Sequence, residues 1–592
     1  MTDGKVGETR GSAAARILPI LGWAPRYQRS WLRADLVAGL TVTALVVPKA
    51  LGYADIAQVP IQYGLYAAAA GTILYALFCT SRQISTGPSA ALSAVAAGAV
   101  LGAAASGDQA ITMVASITFV SGVFFIVLAL FNMGWISQFL SKAVIVGFLF
   151  GAGIQTTIGE LAKITGTKAS GDNSWQKLAS WIGSLDQTHG VTVVVGVVSL
   201  VVIFGLRFVA PRVPGALVLV VGGLLASWLF GLEGHGVTLV GHVPSGLPAI
   251  VLPDFSYIAG HLPDVLTASL ALLMIGFSQT AGDARAFAAR HRYQIDVNQE
   301  SLAQGVANVG SGLLQAIPVS TSLSASSLND QTGAKTPLAS LATGALVVLT
   351  MVFLAPLFAQ LPQAVLAAII IEAVVMGMMD VAAMRRLFRV KRPDFWIAIV
   401  ALLGVLSAGV LAGVIIGIAL SIGWLVYVSA TPAMPELARR PGTEVFRPAG
   451  DPADGETVPG LLALGFDAGL FFIDANALED RVRELAHGAQ PPLRVVVLDF
   501  EGVNYIDSQG AEKLGDVLKL TTAHSAELRL ARVKPAVMAV LRRDGLVDRL
   551  GESHIYGNVF EASRDLIVAA GGTGGTPPAA DAASDAAPPT AL

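Results

Sequence analysis

Two short stretches, one in each half of the apolar part of the chain, decide the fold. The first reads Ser85-Thr86-Gly87-Pro88-Ser89-Ala90, and the second reads Pro318-Val319-Ser320-Thr321-Ser322-Leu323-Ser324. In each, a proline and several hydroxyl residues come before a short apolar run. Proline suits the first turn of a helix because its missing N–H has no partner there. We therefore expect two half-helices that begin inside a membrane, the first with Thr86 as its cap and Pro88 in its first turn.

A half-helix that begins inside a membrane can bind an anion without a formal charge. Its first N–H groups are free, and its dipole is positive at that end. Two such starts at similar places in the two halves are typical of an inverted-repeat carrier, whose substrate lies where the half-helices meet. The alternative is that the Gly, Pro and Ser residues only allow membrane helices to pack closely.

The composition excludes a soluble globule. Of the 592 residues, 54% are hydrophobic and 13% are charged, against about 25% charged in soluble proteins, and the mean hydropathy is +0.66. The net charge of −3 gives no basic field, so we expect no nucleic-acid partner. With one cysteine, Cys79, and no metal-ligand spacing or nucleophile–base set, the sequence predicts no metal, no cofactor and no enzyme activity.

Apolar runs predict about fourteen membrane crossings, two of them too short to cross alone. The runs cover 34–57, 62–79, 88–105, 110–131, 139–160, 191–209, 215–232, 265–288, 299–316, 322–330, 338–361, 363–379, 395–409 and 411–429. The predicted fold is therefore a polytopic α-helical membrane protein in a bilayer.

Charge in the connections predicts the orientation. Alternate connections carry the basic residues Arg82, Arg207, Arg212, Arg290, Arg292, Lys335, Arg385, Arg386, Arg389, Lys391 and Arg392, and the others carry Asp108, Glu233, Asp254 and Asp264. Basic connections stay in the cytosol, so we expect both termini to be cytosolic and the membrane to be the plasma (inner) membrane. One external loop, with Lys163, Lys168 and Lys177, is an exception. The cluster from Arg385 to Arg392 is interpreted mainly as a topology signal, with contact to anionic headgroups as the alternative.

The charged residues also define the domains. We predict an N-terminal cytosolic segment (1–30), a transmembrane domain (31–430), a linker (431–458), a small α/β domain (459–568) and a disordered tail (569–592). In the α/β domain, strand patterns at 461–466, 493–500 and 527–531 alternate with helical patterns at 474–487, 508–523 and 535–545.

Several blocks of sequence, in a fixed order, resemble the sulfate permease family of anion carriers over about 31–563. They are Ala38-Gly39-Leu40-Thr41, Val47-Pro48-Lys49-Ala50-Leu51-Gly52-Tyr53-Ala54, Tyr63-Gly64-Leu65-Tyr66, Ser81-Arg82-Gln83-Ile84-Ser85-Thr86-Gly87-Pro88, Ala286-Phe287-Ala288-Ala289-Arg290, Asp296-Val297-Asn298-Gln299-Glu300 and Gly333-Ala334-Lys335-Thr336-Pro337-Leu338. The resemblance implies a seven-plus-seven inverted repeat of core and gate domains, a cytosolic STAS domain, a homodimer and elevator-like movement of the core.

Lys49 departs from the family pattern, which usually has Gln after the proline of the first helix. A second departure is Ala325, where many relatives have Arg. We infer that the cation has changed position and that Lys49 supplies the charge of the missing arginine, because ionisable residues within spans are costly and mark functional sites. The alternatives are that Lys49 reaches the membrane interface or pairs with Asp55.

A third departure bears on coupling. Relatives thought to be proton- or sodium-coupled usually have a carboxylate where this chain has Gln279. Asp283, one turn further along, is a candidate coupling group with Lys49 as its counter-charge, unless it only pairs with Arg285 or Arg290. Glu372 is a second candidate, in the predicted gate.

The predicted anion site combines half-helix N–H groups, hydroxyls and one charge. Its members are Lys49, Tyr53, Gly87, Pro88, Ser89, Ala90, Gln279, Ser320, Thr321, Ser322, Leu323 and Ser324. In the α/β domain, Asp507 and Ser508 match the STAS loop, in which the serine can be phosphorylated in soluble regulators. The alternative is that both residues only cap a helix.

The favoured function is a secondary carrier for a small anion. Sulfate is the first choice, and bicarbonate or a small dicarboxylate is the alternative; H⁺ or Na⁺ is a candidate co-substrate. A hypothesis of a different class makes the membrane part a scaffold that presents the STAS domain as a docking module, and a channel is a weaker third. Dipoles and hydroxyls recognise charge and size, so the residues alone do not choose among these anions.

Overall fold

The computed structural model describes residues 17–133, 141–171, 173–210, 213–449 and 455–571. The chain divides into two compact units between Ser421 and Ile422. Most of the predicted N-terminal segment and tail, and Arg212, lie outside the described residues.

Fourteen helices of the described residues account for the predicted crossings. Eight of them form, alone or with a continuing turn, segments long and apolar enough to cross a membrane, and six are shorter. They are α1 (Leu32–Ile56), α2 (Gln62–Phe78), α3 (Ala90–Gly102), α4 (Asp108–Leu130), α5 (Lys142–Thr165), α6 (Gly190–Val209), α7 (Gly215–Phe230), α8 (Leu262–His291), α9 (Val297–Leu313), α10 (Leu323–Gln331), α11 (Leu338–Leu349), α12 (Gln363–Gly377), α13 (Arg392–Ala408) and α14 (Val410–Ala430).

The helix packing of the first half is repeated in the second. Helix α4 packs on α9 as α11 packs on α2, and α1 packs on α11 as α8 packs on α4. In each comparison, the two contacts are equivalent if every helix of the first half corresponds to the helix seven places later. The same correspondence relates the α6–α12 contact to the α13–α5 contact. The packing separates a core group, α1–α4 with α8–α11, from a gate group, α5–α7 with α12–α14, and so confirms the predicted inverted repeat.

Two short strands cross where the half-helices begin. Strand β1 (Thr86–Pro88) pairs antiparallel with β2 (Val319–Thr321), so that Gly87 lies opposite Ser320. The expectation that Thr86 caps α3 and that Pro88 lies in its first turn is wrong, because α3 begins after Ser89. The residue before a proline is disfavoured in helical conformation, and the strand pair satisfies backbone groups that would otherwise be unpaired in the membrane.

A buried carboxylate holds the loop that leads into β1. Glu300, at the start of α9, is fully buried and accepts the N–H groups of Thr80 (2.8 Å) and Ser81 (2.7 Å). It also accepts their hydroxyls, at 2.5 and 3.0 Å, and the hydroxyl of Tyr75. Five donors therefore compensate the burial of one acidic group.

A second carboxylate holds the loop that follows α10. Asp35, near the start of α1, is fully buried. It accepts the N–H groups of Lys335 (2.7 Å) and Thr336 (3.2 Å) and the Thr336 hydroxyl (2.8 Å). The two interrupted segments are thus each fixed at one end by an acidic side chain.

The second unit contains a parallel sheet of four strands that pair in chain order. Its elements are β5 (Leu461–Gly465), α15 (Ala475–Gly488), β6 (Val495–Asp499), α16 (Ser508–Ala523), β7 (Glu527–Ala531), α17 (Pro535–Arg543), α18 (Leu546–Leu550), β8 (Ile555–Tyr556) and α19 (Val559–Ala569). Within the predicted linker, β3 (Leu437–Arg439) and β4 (Phe446–Pro448) form a hairpin. Asp507 caps α16 by accepting the N–H of Gly510 at 2.7 Å, and Ser508 is exposed.

We expect Glu300→Ala to lower the free energy of unfolding by about 3 kcal/mol or more, because two buried N–H groups and three hydroxyls lose their acceptor. Glu300→Gln keeps one oxygen for the N–H groups and should cost about 1 kcal/mol. The melting temperatures of the purified variants test this, with Glu233→Ala, at an exposed position of a short 3-10 helix, as the control. An alanine variant that melts with the wild type would contradict the assignment.

Candidate functional site

The start of α3 presents free N–H groups. Ser89 is the N-cap, but its side chain accepts no hydrogen bond from the helix. Its carbonyl accepts the N–H of Ser93 at 2.9 Å. Among the described residues, no acceptor lies on the N–H groups of Ala90 and Ala91, as expected for a first helical turn.

The start of α10 is capped more completely. The hydroxyl of Ser322 accepts the N–H of Ala325 at 3.3 Å and lies 3.2 Å from the hydroxyl of Ser324. The N–H of Ser322 itself donates to the carbonyl of Ser85 at 3.0 Å. The start of the second half-helix therefore carries two hydroxyl groups, those of Ser322 and Ser324, in addition to the positive end of the helix dipole.

A small cavity lies between strand β1, the start of α10 and α1. Its volume is about 20 Å³, which is room for about one water molecule. It is lined by Leu45, Val46, Lys49, Ala50, Tyr53, Ser85, Thr86, Gly87, Pro88, Ser322, Ser324 and Ala325. The cavity is named the tip cavity below.

The tip cavity shares Leu45, Lys49 and Ser324 with a larger cavity of about 400 Å³. The larger cavity is lined further by the last turn of α6, the first turn of α7 and the last turn of α10, through residues such as Arg207, Gly215 and Gln331. These ends lie on the side where the basic connections lie. We call the larger cavity the vestibule.

Lys49 lies in the wall that the two cavities share. It follows Pro48, which interrupts the hydrogen bonding of α1 because proline has no N–H. The alternative pairing with Asp55 is wrong, because Asp55 bonds to Lys163 instead. Among the described residues no carboxylate lies within 4.0 Å of the Lys49 ammonium group, and Glu372 and Arg207 line the vestibule with it.

Glu372 and Arg207 form an ion pair in the vestibule. Glu372, on α12, is 6% exposed and accepts a hydrogen bond from Nη1 of Arg207, on α6, at 3.0 Å. Both belong to the gate group, whereas Lys49 belongs to the core group. The vestibule therefore brings three charges of the two groups together.

Asp283 is joined to the strand pair. The hydroxyl of Thr321 donates to Oδ2 of Asp283 at 2.9 Å. The alternative of a pair with Arg290 is wrong, since Arg290 bonds to Asp330 at 2.9 Å. No ion pair joins Asp283 to Lys49 or to Arg285 in the part of the chain that the structure describes, so the expected counter-charge is absent there.

Several polar atoms next to the strand pair are buried without a partner among the described residues. They include the hydroxyls of Ser85 and Thr86 and Oε1 of Gln279. Buried polar atoms are rarely left unpaired, so they mark a region that a polar ligand or water can satisfy.

The predicted site residues divide into two sets. Those that line the tip cavity are Lys49, Tyr53, Gly87, Pro88, Ser322 and Ser324, and Ser324 also lines the vestibule. Those that line neither cavity are Ser89, Ala90, Gln279, Ser320, Thr321 and Leu323, of which Leu323 is largely exposed.

Sequence reasoning missed the residues that hold β2. Gln304 donates to the carbonyl of Val319 at 2.6 Å, and Asn308 both donates to that carbonyl and accepts the Val319 N–H, each at 3.0 Å. The sequence did contain a signal for them, because two amide side chains four residues apart in a membrane helix indicate a polar contact inside the protein. Arg207 was interpreted only as a topology signal, because nothing near it in sequence indicates Glu372.

Two half-helices that begin from one strand pair, within an inverted repeat of fourteen helices, define a membrane transporter for anions. Residues 32–401 match the model of the sulfate permease family, and residues 453–562 match that of the STAS domain. The chain belongs to the sulfate permease family, a family of transporters and not of enzymes.

Curated relatives agree with the family match. A probable sulfate transporter of Mycobacterium tuberculosis is 33% identical over 545 residues, which cover 90% of this chain and 96% of the relative. Sulfate transporter 1.1 of Arabidopsis thaliana is 29% identical and covers 92% of this chain and 87% of its own.

Solved structures share the fold. The murine Solute Carrier 26 family member A9 anion transporter, in the inward-facing state, has a TM-score of 0.85 at 21% identity and covers 96% of both chains. The transmembrane domain of a cyanobacterial bicarbonate transporter has a TM-score of 0.56 at 23% identity and covers 67% of this chain and 99% of its own.

We expect Gly87→Ala to raise the KM for the transported anion about threefold or more without changing the melting temperature. A Cβ at Gly87 meets no atom within 4 Å, so the methyl group projects into open space at the site. The matched control is Gly71→Ala, whose Cβ would lie 3.1 Å from Gly87 Cα and 3.2 Å from Val319 Cγ1. This variant should instead lower stability by about 1–3 kcal/mol. Equal KM values for Gly87→Ala and the wild type would exclude Gly87 from the site.

Proposed function

We propose that the protein is a secondary active transporter that moves a small inorganic anion, preferably sulfate, across the plasma membrane. The observation that carries the proposal is the junction of the tip cavity with the vestibule, where strand β1 at the entrance to α3, the N-terminus of α10 and Lys49 surround one space. The names of the relatives support sulfate.

The chemistry of the tip cavity favours an oxyanion. Ser322, Ser324 and Lys49 line this cavity, so the two hydroxyls would donate hydrogen bonds to a bound anion and Lys49 would add one positive charge. Hydrogen bonds to a charged acceptor are about twice as strong as neutral ones. An anion that enters from the vestibule meets Lys49 in the wall that both cavities share.

Alternating access requires the closed side to be sealed. At the end of α1 opposite the vestibule, Asp55 bonds to Lys163 of α5, which also bonds to Glu160 at 3.2 Å. This ion cluster joins the core group to the gate group. An elevator movement of the core would break the Asp55–Lys163 bond and open the other side.

Proton coupling is assigned to Asp283. Its carboxylate accepts a hydrogen bond from Thr321 of β2 and has no cationic partner among the described residues. Glu372, in contrast, is held by Arg207. Asp283 therefore has the contact through which protonation would act on the strand pair.

The orientation and assembly complete the proposal. The basic connections support a cytosolic location for both termini and the STAS domain, with the vestibule open to the cytosol. The transporter is proposed to work as a homodimer in the lipid bilayer.

We expect Lys49→Gln to raise the KM for sulfate about tenfold or more, because a charge-assisted contact is lost. Lys49→Arg should retain most of the affinity. The measurement is saturable, counter-substrate-stimulated uptake of radiolabelled sulfate into proteoliposomes, with bicarbonate and succinate as competitors. Lys142→Gln, at the exposed start of α5, is the matched control.

Unchanged affinity in the Lys49→Gln variant would remove Lys49 from the site. Flux that neither saturates nor responds to counter-substrate would indicate a channel. If bicarbonate or succinate competed more strongly than unlabelled sulfate, that anion and not sulfate would be the preferred substrate.

We expect Asp283→Asn to abolish the stimulation of uptake by an inwardly directed proton gradient, because the amide cannot carry the proton, while counter-exchange continues. Asp264→Asn, in the first turn of the same helix, should behave as the wild type. Wild-type uptake that ignores an imposed pH gradient would contradict coupling through either carboxylate.

A further inference from the structure

A short helix, Val381–Val390, connects α12 to α13 and is strongly amphipathic. At 100° per residue, Arg385, Arg386 and Arg389 lie within one arc of about 100°. Met384 and Leu387 lie on the opposite face and are half-buried. The segment, named the basic helix here, packs on α13 and α5 of the gate group.

The three arginines make no ion pair with a described acidic residue. Within the described residues, no carboxylate lies within 4.0 Å of the guanidinium groups of Arg385, Arg386 and Arg389. The nearby Asp380 serves as the N-cap of the basic helix and accepts the N–H of Ala383 at 2.8 Å. The positive charge of the exposed face is thus not neutralised by the ion pairs of this part of the chain.

Two of the arginines border an apolar cavity of about 480 Å³. Its lining consists of Met384, Arg385, Phe388, Arg389 and Phe395. The rings of Phe388 and Phe395 meet edge to face, with 5.1 Å between their centroids. Arg385 and Arg389 are four residues apart and therefore neighbours on the helix surface, whereas Arg386 does not line the cavity.

The surroundings indicate the membrane–water interface. Helix α13 begins at Arg392, two residues after the basic helix ends, and carries Trp396 with 59% of its surface exposed. Phe388 and Val390 are also exposed, at 53% and 73%. Aromatic and basic side chains at the end of a span are typical of the headgroup level, and basic clusters there attract anionic lipids.

We propose that this cavity binds the headgroup of an anionic phospholipid of the cytosolic leaflet. Arg385 and Arg389 bind the phosphate from two sides, and the glycerol and upper acyl chain lie against Phe388 and Phe395. The planar guanidinium group suits such a contact, because it presents paired donors to phosphate oxygens. A bound lipid would tie the gate group to the bilayer at the helix that follows α12.

The test is binding of phosphatidylglycerol to the purified full chain, measured by native mass spectrometry during titration and checked against phosphatidylcholine. We expect Arg385→Gln/Arg389→Gln to weaken phosphatidylglycerol binding about tenfold or more. The matched control, Arg386→Gln/Arg392→Gln, removes the same charge from the same cluster but spares the cavity, and should change binding less than threefold. Arg385→Lys/Arg389→Lys should retain part of the binding.

Equal losses in the two double variants would overturn the proposal in favour of diffuse attraction by the basic cluster. Unchanged binding in Arg385→Gln/Arg389→Gln, or equal binding of phosphatidylcholine by the wild type, would also overturn it. The melting temperature of each variant in neutral detergent separates a lost site from a misfolded chain. The readout is lipid binding, so it does not depend on the transported anion.

Discussion

The antiparallel pairing of β1 with β2 is the interaction on which the rest of the structure depends. A membrane leaves no water to satisfy a broken helix, so the backbone of each interrupted segment must find a partner inside the protein. The segments find it in each other, and Gln304 and Asn308 bond to Val319 of β2. Among the described residues, the N–H groups of Ala90 and Ala91 at the start of α3 remain without an acceptor.

Several residues outside the lining of the tip cavity support this pairing. Glu300 and Asp35 fix the loops that enter β1 and leave α10, and Gly71 allows α2 to approach Gly87 closely. Two fully buried carboxylates are costly unless every oxygen is satisfied, and both are surrounded by N–H and hydroxyl donors. The candidate site is thus held in place by polar contacts that lie outside it.

The sequence predicted the helices and the two interruptions because both depend on local properties. Apolar length marks a span, and Pro88 and Pro318 mark the breaks. It did not predict strand pairing, since the partners of Gly87 and Pro88 lie more than 200 residues away. The contacts of Lys163 and Arg207 were missed for the same reason: each joins elements that only the folded chain brings together.

The groups proposed to bind the anion all lie in one of the two helix groups. Both half-helices, both strands and Lys49 belong to the core group, and the two loop-binding carboxylates fasten them to the same body. In an elevator cycle the coordinating groups would travel together with the ion they hold. Their contribution to affinity would then be equal at either face of the membrane, and the direction of net flow would be left to the gradients.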